Sequence, residues 1–112
     1  MIAPTIEKEI EFYYNSKGES PIINWLDNID NITRKRIQTR ILRLASGNYG
    51  DFKKVNKNIL ELRIDFGSGY RVYFAEINNK IVLLLYGGDK KTQTKDISRA
   101  IAYFEEYRGK ND

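Results

Sequence analysis

Histidine and cysteine are both absent from the 112 residues. Without cysteine there are no disulfides and no thiolate nucleophile. Without histidine as well, the usual nitrogen and sulfur metal sites are excluded, as is any triad that relies on an imidazole base. No other ligand cluster stands out, so no metal and no cofactor are expected. Long apolar runs are missing too. The longest, Ile81-Val-Leu-Leu-Leu-Tyr86, is far short of the roughly 20 residues that span a bilayer. The start Met1-Ile-Ala-Pro-Thr-Ile-Glu-Lys8 has no cationic stretch leading into an apolar core. It reads as no signal peptide, and a cytoplasmic protein without a membrane partner is expected.

What is present fits one globular domain, residues 1–112: 41% hydrophobic and 30% charged residues in 13.1 kDa. The charge is uneven. Residues 1–30 carry two basic and six acidic side chains, net −4. Residues 31–73 carry ten and three, net +7, and residues 74–112 carry seven and six, net +1. A basic central third suits a polyanionic partner, although solvated helix faces also collect lysine and arginine.

The pattern predicts seven elements. Residues 5–15 alternate well enough for a strand that ends at Asn15-Ser-Lys-Gly18. Ser20-Pro21 opens a short helix with Ile22, Ile23, Trp25, Leu26 and Ile29 on its apolar face. A second helix, Ile32 to Ser46, has Ile37, Ile41, Leu44 and Ala45 as its stripe and Gly47 after its end. The two read as an antiparallel helix pair. Tyr49 to Asn58 reads as a basic loop. Leu60, Leu62 and Ile64 alternate on one strand, and Tyr70, Val72 and Phe74 on the next, with a hairpin at Phe66-Gly-Ser-Gly69. Asn78-Asn79 is a further turn, and Lys80–Tyr86 is a strand that Gly87-Gly88 ends. Thr94 caps a last helix with Ile97, Ile101, Phe104 and Tyr107 on one face, stopped by Gly109 and followed by a frayed tail, Lys110 to Asp112. The order β-α-α-β-β-β-α predicts a compact α+β domain, its antiparallel sheet covered on one face by the helices.

The hairpin places chemistry. Turning both apolar sets to one face, with a three-residue loop, pairs Leu62 with Val72 and Ile64 with Tyr70. Arg63 then lies opposite Arg71 on the other face, and Glu61 opposite Tyr73. Facing arginines repel unless an anion lies between them, and guanidinium forks match phosphate oxygens. The bland alternative is that Glu61 and Asp65 neutralise both arginines structurally. A face-exposed Arg71 would be removable without harm to the fold.

Gly87-Gly-Asp-Lys-Lys-Thr-Gln-Thr94 is a second constellation. It precedes a helix and adds Lys90 and Lys91 to the start of that helix, which suits an anion or is an ordinary solvated turn. It lacks the phosphate-loop spacing. Lys53, Lys54 and Lys57, with Arg40 and Arg43 of the second helix, form a third candidate, able to follow a nucleic-acid backbone. Trp25 reads as a packing residue. Tyr13-Tyr14 reads as strand packing, with base stacking as the other option.

The stretch Leu60-Glu-Leu-Arg-Ile-Asp-Phe-Gly-Ser-Gly-Tyr-Arg-Val-Tyr-Phe74, followed by Leu83-Leu-Leu-Tyr-Gly-Gly-Asp-Lys-Lys-Thr-Gln-Thr-Lys-Asp-Ile97, resembles the RelE/ParE toxin superfamily. It is most similar to the addiction-module killer proteins, also called HigB-like or phage Gp49-like toxins. Asn24-Trp-Leu26, Arg40-Ile-Leu-Arg-Leu44 and Gly47-Asn-Tyr-Gly-Asp51 fit the same branch. The resemblance implies a RelE-like fold and the toxin of a type II toxin–antitoxin pair. Its partners would be a small helix-turn-helix antitoxin and mRNA on the ribosome. The activity implied is a metal-independent, ribosome-dependent mRNA endonuclease. A gyrase inhibitor of the ParE type, or a non-toxic relative that only binds its antitoxin, are the alternatives. By resemblance, Arg71 is a phosphate-binding arginine, Lys91 with Lys90 the basic pair after the last strand, and Arg63 a basic position on the preceding strand. A tyrosine that some relatives use falls near Ile97 and is missing here. In such a scheme Arg71 and Arg63 stabilise phosphorane charge, and Lys90 or Lys91 protonates the leaving oxygen. Glu61, Tyr70 or a lysine would supply the base.

Overall fold

A computed structural model of the chain describes residues 7–111; the predicted strand's first residues, Thr5 and Ile6, and the terminal Asp112 lie outside them. Five strands form one mixed sheet in the order β1-β5-β4-β3-β2. They are β1 (Glu9–Phe12), β2 (Phe52–Lys54), β3 (Leu60–Ile64), β4 (Tyr70–Ile77) and β5 (Ile81–Asp89). The helices are α1 (Pro21–Asp27), α2 (Asn31–Ala45) and α3 (Gln93–Asn111), with a single 3-10 turn at Lys90–Thr92.

The sheet differs from expectation in two ways. β1 runs parallel to β5, Glu9 beside Ile81 and Phe12 beside Leu84, so the sheet is not wholly antiparallel. A parallel neighbour needs a long crossover, and everything between β1 and β5 provides one. Part of the expected basic loop is β2, whose Phe52 and Lys54 pair with Leu62 and Leu60. Its two lysines hide it from propensity, yet lysine is common on edge strands, where it discourages further pairing.

The central hairpin has the predicted register: Glu61 opposite Tyr73, Leu62 opposite Val72, Arg63 opposite Arg71, Ile64 opposite Tyr70. Its loop is longer than expected, because the ladder stops at Ile64–Tyr70 and leaves residues 65–69 outside. The β4–β5 turn has Asn78 and Asn79 at φ 52° and 56°. Lys80 N–H bonds to the Ile77 carbonyl at 3.0 Å, a turn of the primed kind that matches strand twist.

Helices cover both faces, not one. On one face Ile22 and Leu26 of α1 and Ile37, Ile41 and Leu44 of α2 bury Leu62, Ile64, Val72, Phe74, Val82 and Leu84. On the other, Ala100 and Phe104 of α3 cover Tyr73, Ala75, Leu83 and Leu85 with Tyr13 and Ile59. β4 and β5 are apolar on both sides and need both layers.

Local signals explain the helix ends. Ser20 caps α1 by accepting from Ile23 N–H at 3.3 Å, with Pro21 in the first turn. Asp30 caps α2 through Thr33 N–H at 3.1 Å. α2 ends where Asn48 N–H reaches the Arg43 carbonyl at 2.9 Å, with Gly47 at φ 83°. Arg34 ties the α1–α2 link by donating to the carbonyls of Leu26 at 2.8 Å and Ile29 at 2.9 Å. The last helical segment starts earlier than Thr94. Asp89 caps the 3-10 turn by accepting from Lys91 N–H at 2.8 Å, and α3 runs on through Gly109.

Gly87 and Gly88 do not end β5; they lie within it. A Cβ on Gly87 would sit 2.9 Å from Trp25 Cδ2, and one on Gly88 2.9 Å from Asp96 Cγ, with other atoms closer. Each glycine is therefore a close-approach position, one beneath α1 and one beneath α3.

Candidate functional site

Arg63 and Arg71 face each other across β3 and β4, as their register demands. Between them, Glu61 is fully buried. Its Oε1 accepts from Arg63 Nε at 3.0 Å and lies 3.6 Å from Arg71 Nε. Its Oε2 accepts from Gln93 Nε2 at 2.7 Å, which joins the start of α3 to the sheet. A buried carboxylate is tolerable only when paired in this way. One negative charge against two positive ones leaves the cluster cationic. Both arginines meet Glu61 through Nε, the inner nitrogen. The Arg71 Nη1 donates to the Tyr70 carbonyl at 3.1 Å.

The two arginines, Lys90 and the loop of residues 67–69 line a polar cleft of about 260 Å³. Asp51 and Asp65 also line it. Lys90 is held there by its backbone, whose N–H bonds to the Gly69 carbonyl at 2.9 Å. The arginine side chains differ in access: Arg63 is 33% exposed and Arg71 11%. Arg71 is thus not the surface residue expected, and its truncation would strip Glu61 of a partner.

The other predicted residues are elsewhere. Glu61 has no exposed surface, accepts from Arg63 and Gln93 and pairs with Arg71, so it faces the arginines rather than a substrate. Tyr70 points with Ile64 to the α1–α2 side, away from the arginines. Lys91 is exposed outside the cleft. Lys53 is exposed on edge strand β2 opposite Glu61. Lys54 and Lys57 line a separate groove with Glu76 and Leu60. Arg43 lines another, between α2 and Phe66, where Arg36 stacks 4.1 Å above the Phe66 ring.

Arg40 needs correction. Its guanidinium donates to three backbone carbonyls: Arg63 at 2.5 Å, Tyr49 at 3.1 Å and Asp51 at 3.2 Å. Burial lowers its pKa. Arg40 pins the strand that carries Arg63; it is not a free cation for a nucleic-acid backbone.

Sequence reasoning missed the polar groups behind the arginines. Asp96 is 4% exposed on α3, lies over Gly88, and accepts from Thr92 Oγ1 at 2.5 Å. Burial raises its pKa, and the Thr92 bond partly offsets that. Tyr73 is fully buried and its hydroxyl has no hydrogen-bond partner among the described residues. Burial, then the nearby Glu61 and Asp96 carboxylates, push that phenol well above its ordinary range. Asp96, Ala100 and Phe104, spaced by four, are the buried stripe of α3. An acid heading such a stripe was the signal available.

The matched segment of the family model for phage-derived Gp49-like proteins (DUF891) covers residues 24–104, from α1 through most of α3. The chain belongs to the Gp49-like family. That family is associated with toxin–antitoxin modules, and an antitoxin is the partner this association suggests. An uncharacterized protein of Haemophilus influenzae is 54% identical over 78 residues, covering 69% of this chain and 79% of its own. The Gp49-like segment holds both arginines, Glu61, Lys90, Gln93 and Asp96. Among the described residues no helix is long and apolar enough to cross a membrane, and no group of acidic residues is arranged to hold a metal ion.

Proposed function

We propose that this Gp49-like protein is the toxin of a type II toxin–antitoxin pair of the RelE/ParE kind, and that it cleaves mRNA on the ribosome. One observation carries the reading: two guanidiniums on adjacent strands face a single buried carboxylate, Arg63 hydrogen-bonded to it through Nε and Arg71 ion-paired at 3.6 Å, beside Lys90 in one polar cleft. Cations fixed in advance stabilise developing charge without reorganising.

In this mechanism the ribose 2′-oxygen attacks the adjacent phosphorus, and the bond from phosphorus to the 5′-oxygen breaks. Arg63 and Arg71 hold the non-bridging oxygens as negative charge builds. Lys90 protonates the leaving 5′-oxygen. Asp51 and Asp65 are the carboxylates of the cleft, so one of them takes the 2′ proton; Glu61 acts as a positioning residue. This set meets the phosphate and reads no base, which fits dependence on the ribosome. A small helix-turn-helix antitoxin is the proposed partner.

The test is induction in cells, with mapping of mRNA 5′ ends, for the wild type, Arg63→Ala and Arg71→Lys. Lysine at 71 keeps a charge near Glu61 while removing the fork. Discrete new ends in translated regions are expected for the wild type, and a loss of about a hundredfold or more for each variant. Growth arrest with linearised DNA and no new ends would move the target to gyrase. Normal growth without antitoxin would leave a non-toxic relative.

A further inference from the structure

β1 pairs with β5 only as far as Leu84, and the last backbone bond on that side is Tyr13 N–H to the Leu84 carbonyl at 2.9 Å. Beyond it, the outer edge of β5 has no neighbouring strand among the described residues. A cleft of about 420 Å³ lies alongside, walled by Trp25, Tyr86 and Tyr103 and rimmed by Asn15, Asn24 and Asn28. We infer that this cleft binds a nucleobase, as a second RNA contact separate from the arginine cleft.

The lining matches that ligand class. Stacking walls accept any base, and carboxamides present the donor–acceptor pair that reads a base edge. Each amide has capacity left. Asn15 Oδ1 accepts from Lys17 and Glu19 N–H at 2.9 and 3.0 Å, which leaves its Nδ2 as a donor. Asn28 Nδ2 donates to the Asn24 carbonyl at 2.7 Å, which leaves its Oδ1 as an acceptor. Asn24 is exposed and keeps both functions.

The aromatic walls are fixed in place. Trp25 rests on Gly87. Tyr103 stacks on Tyr13 with centroids 5.1 Å apart and meets Tyr86 edge-on at 5.8 Å. Arg99 Nη1 donates to the Tyr86 hydroxyl at 3.0 Å, which sets a cation next to the cleft for a neighbouring phosphate. Along β5, Tyr86 is two residues from Gly88, about 7 Å at strand rise, and Gly88 is the partner of Arg71. The two clefts therefore lie on neighbouring strands of one sheet. Glu19 on the rim disfavours a phosphate inside the cleft itself, so the base enters and the backbone stays outside.

Trp25 is the single tryptophan, so its emission reports this cleft alone. The four ribonucleosides are titrated into the purified chain, with excitation on the red edge of the indole band. Saturable quenching is expected with at least one nucleoside. Asn24→Ala and Tyr86→Leu should each weaken it about fivefold or more, the scale of one lost stack or paired edge. Arg71→Lys should leave it unchanged. Absence of saturable quenching by all four at millimolar concentration overturns the inference, as does an unaltered titration for Asn24→Ala. Quenching by the antitoxin alone overturns it in favour of a protein occupant. Asn24 is exposed and its substitution does not threaten the fold, so it decides the case if Tyr86→Leu is unstable. The inference rests on the RNA reading for the class of ligand only. mRNA cleavage without nucleoside binding sinks the second contact alone; nucleoside binding without cleavage sinks the nuclease alone.

Discussion

The two faces of the sheet are built from different materials. Beneath α1 and α2 the buried cluster runs from Ile22 to Leu84 without a charged group, and the buried polar side chains there are the hydroxyls of Ser20 and Thr33 at the helix starts. Beneath α3 the apolar cluster of Tyr73, Leu83, Leu85 and Phe104 adjoins buried Glu61 and Asp96 and the nearly buried Arg71. Apolar burial stabilises without conditions, while buried charge offsets its own desolvation only through good partners. The first face maintains the fold. The second sets a buried carboxylate against two guanidiniums, a pairing that offsets the desolvation of its own charges.

The strongest way to test that contrast is to cut the apolar face. Phe74→Ala should cost about 3–5 kcal/mol in urea unfolding, from lost burial and the cavity left. A loss below about 1 kcal/mol would show that this face does not dominate. Next is Gly88→Ala, whose Cβ runs into the Asp96 carboxyl. Overpacking there should cost about 1–3 kcal/mol and should reduce activity by more than the melting shift explains, since α3 also supplies Gln93 to Glu61. An equally active variant would uncouple the start of α3 from the arginines.

A smaller effect on stability, with a total effect on function, is expected from Glu61→Leu combined with Arg71→Met. Exchanging the buried ion pair for hydrophobic groups should be close to neutral, within about 1 kcal/mol, the gain being offset by the acceptor that Arg63 and Gln93 lose, while the proposed cleavage disappears. A sharply destabilised double variant would mean that the charges support the fold after all. The smallest effect concerns Asp96. Its folded pKa is raised by burial, so the native state binds its proton more tightly than the unfolded chain does. Stability must then fall as pH rises from the ordinary aspartate range through the raised value, and stay lowered above it. Asp96→Asn should flatten that part of the profile and be the more stable protein at pH 7. Parallel stability profiles from pH 4 to 7 would remove Asp96 as the source.

How much of this was legible in the sequence follows from range. The β3–β4 register needed only alternation within one hairpin, and Arg63 opposite Arg71 came with it. The α1 start at Ser20-Pro21 and the α2 stop at Gly47 were equally local. The parallel placement of β1, separated by most of the chain from β5, was not. Nor was β2, three residues long and recognisable only by the strand it joins. In the site, residue types named the arginines, but not that Glu61 would be sealed beneath them or that Arg40 would be spent on carbonyls. Charge alone does not distinguish a guanidinium facing solvent from one facing backbone.

The register slip between Tyr73–Tyr86 and Phe74–Leu84 leaves Leu85 as an extra residue in β5. Leu83 and the extra Leu85 look toward α3, and beyond the slip Tyr86 and Gly88 do. Parity along the strand is switched at that point. A strand of the same sequence without that slip would turn the wide aromatic ring toward α1 and slide Gly87 under the acid, so the aromatic cleft owes its Tyr86 wall to a single surplus peptide unit.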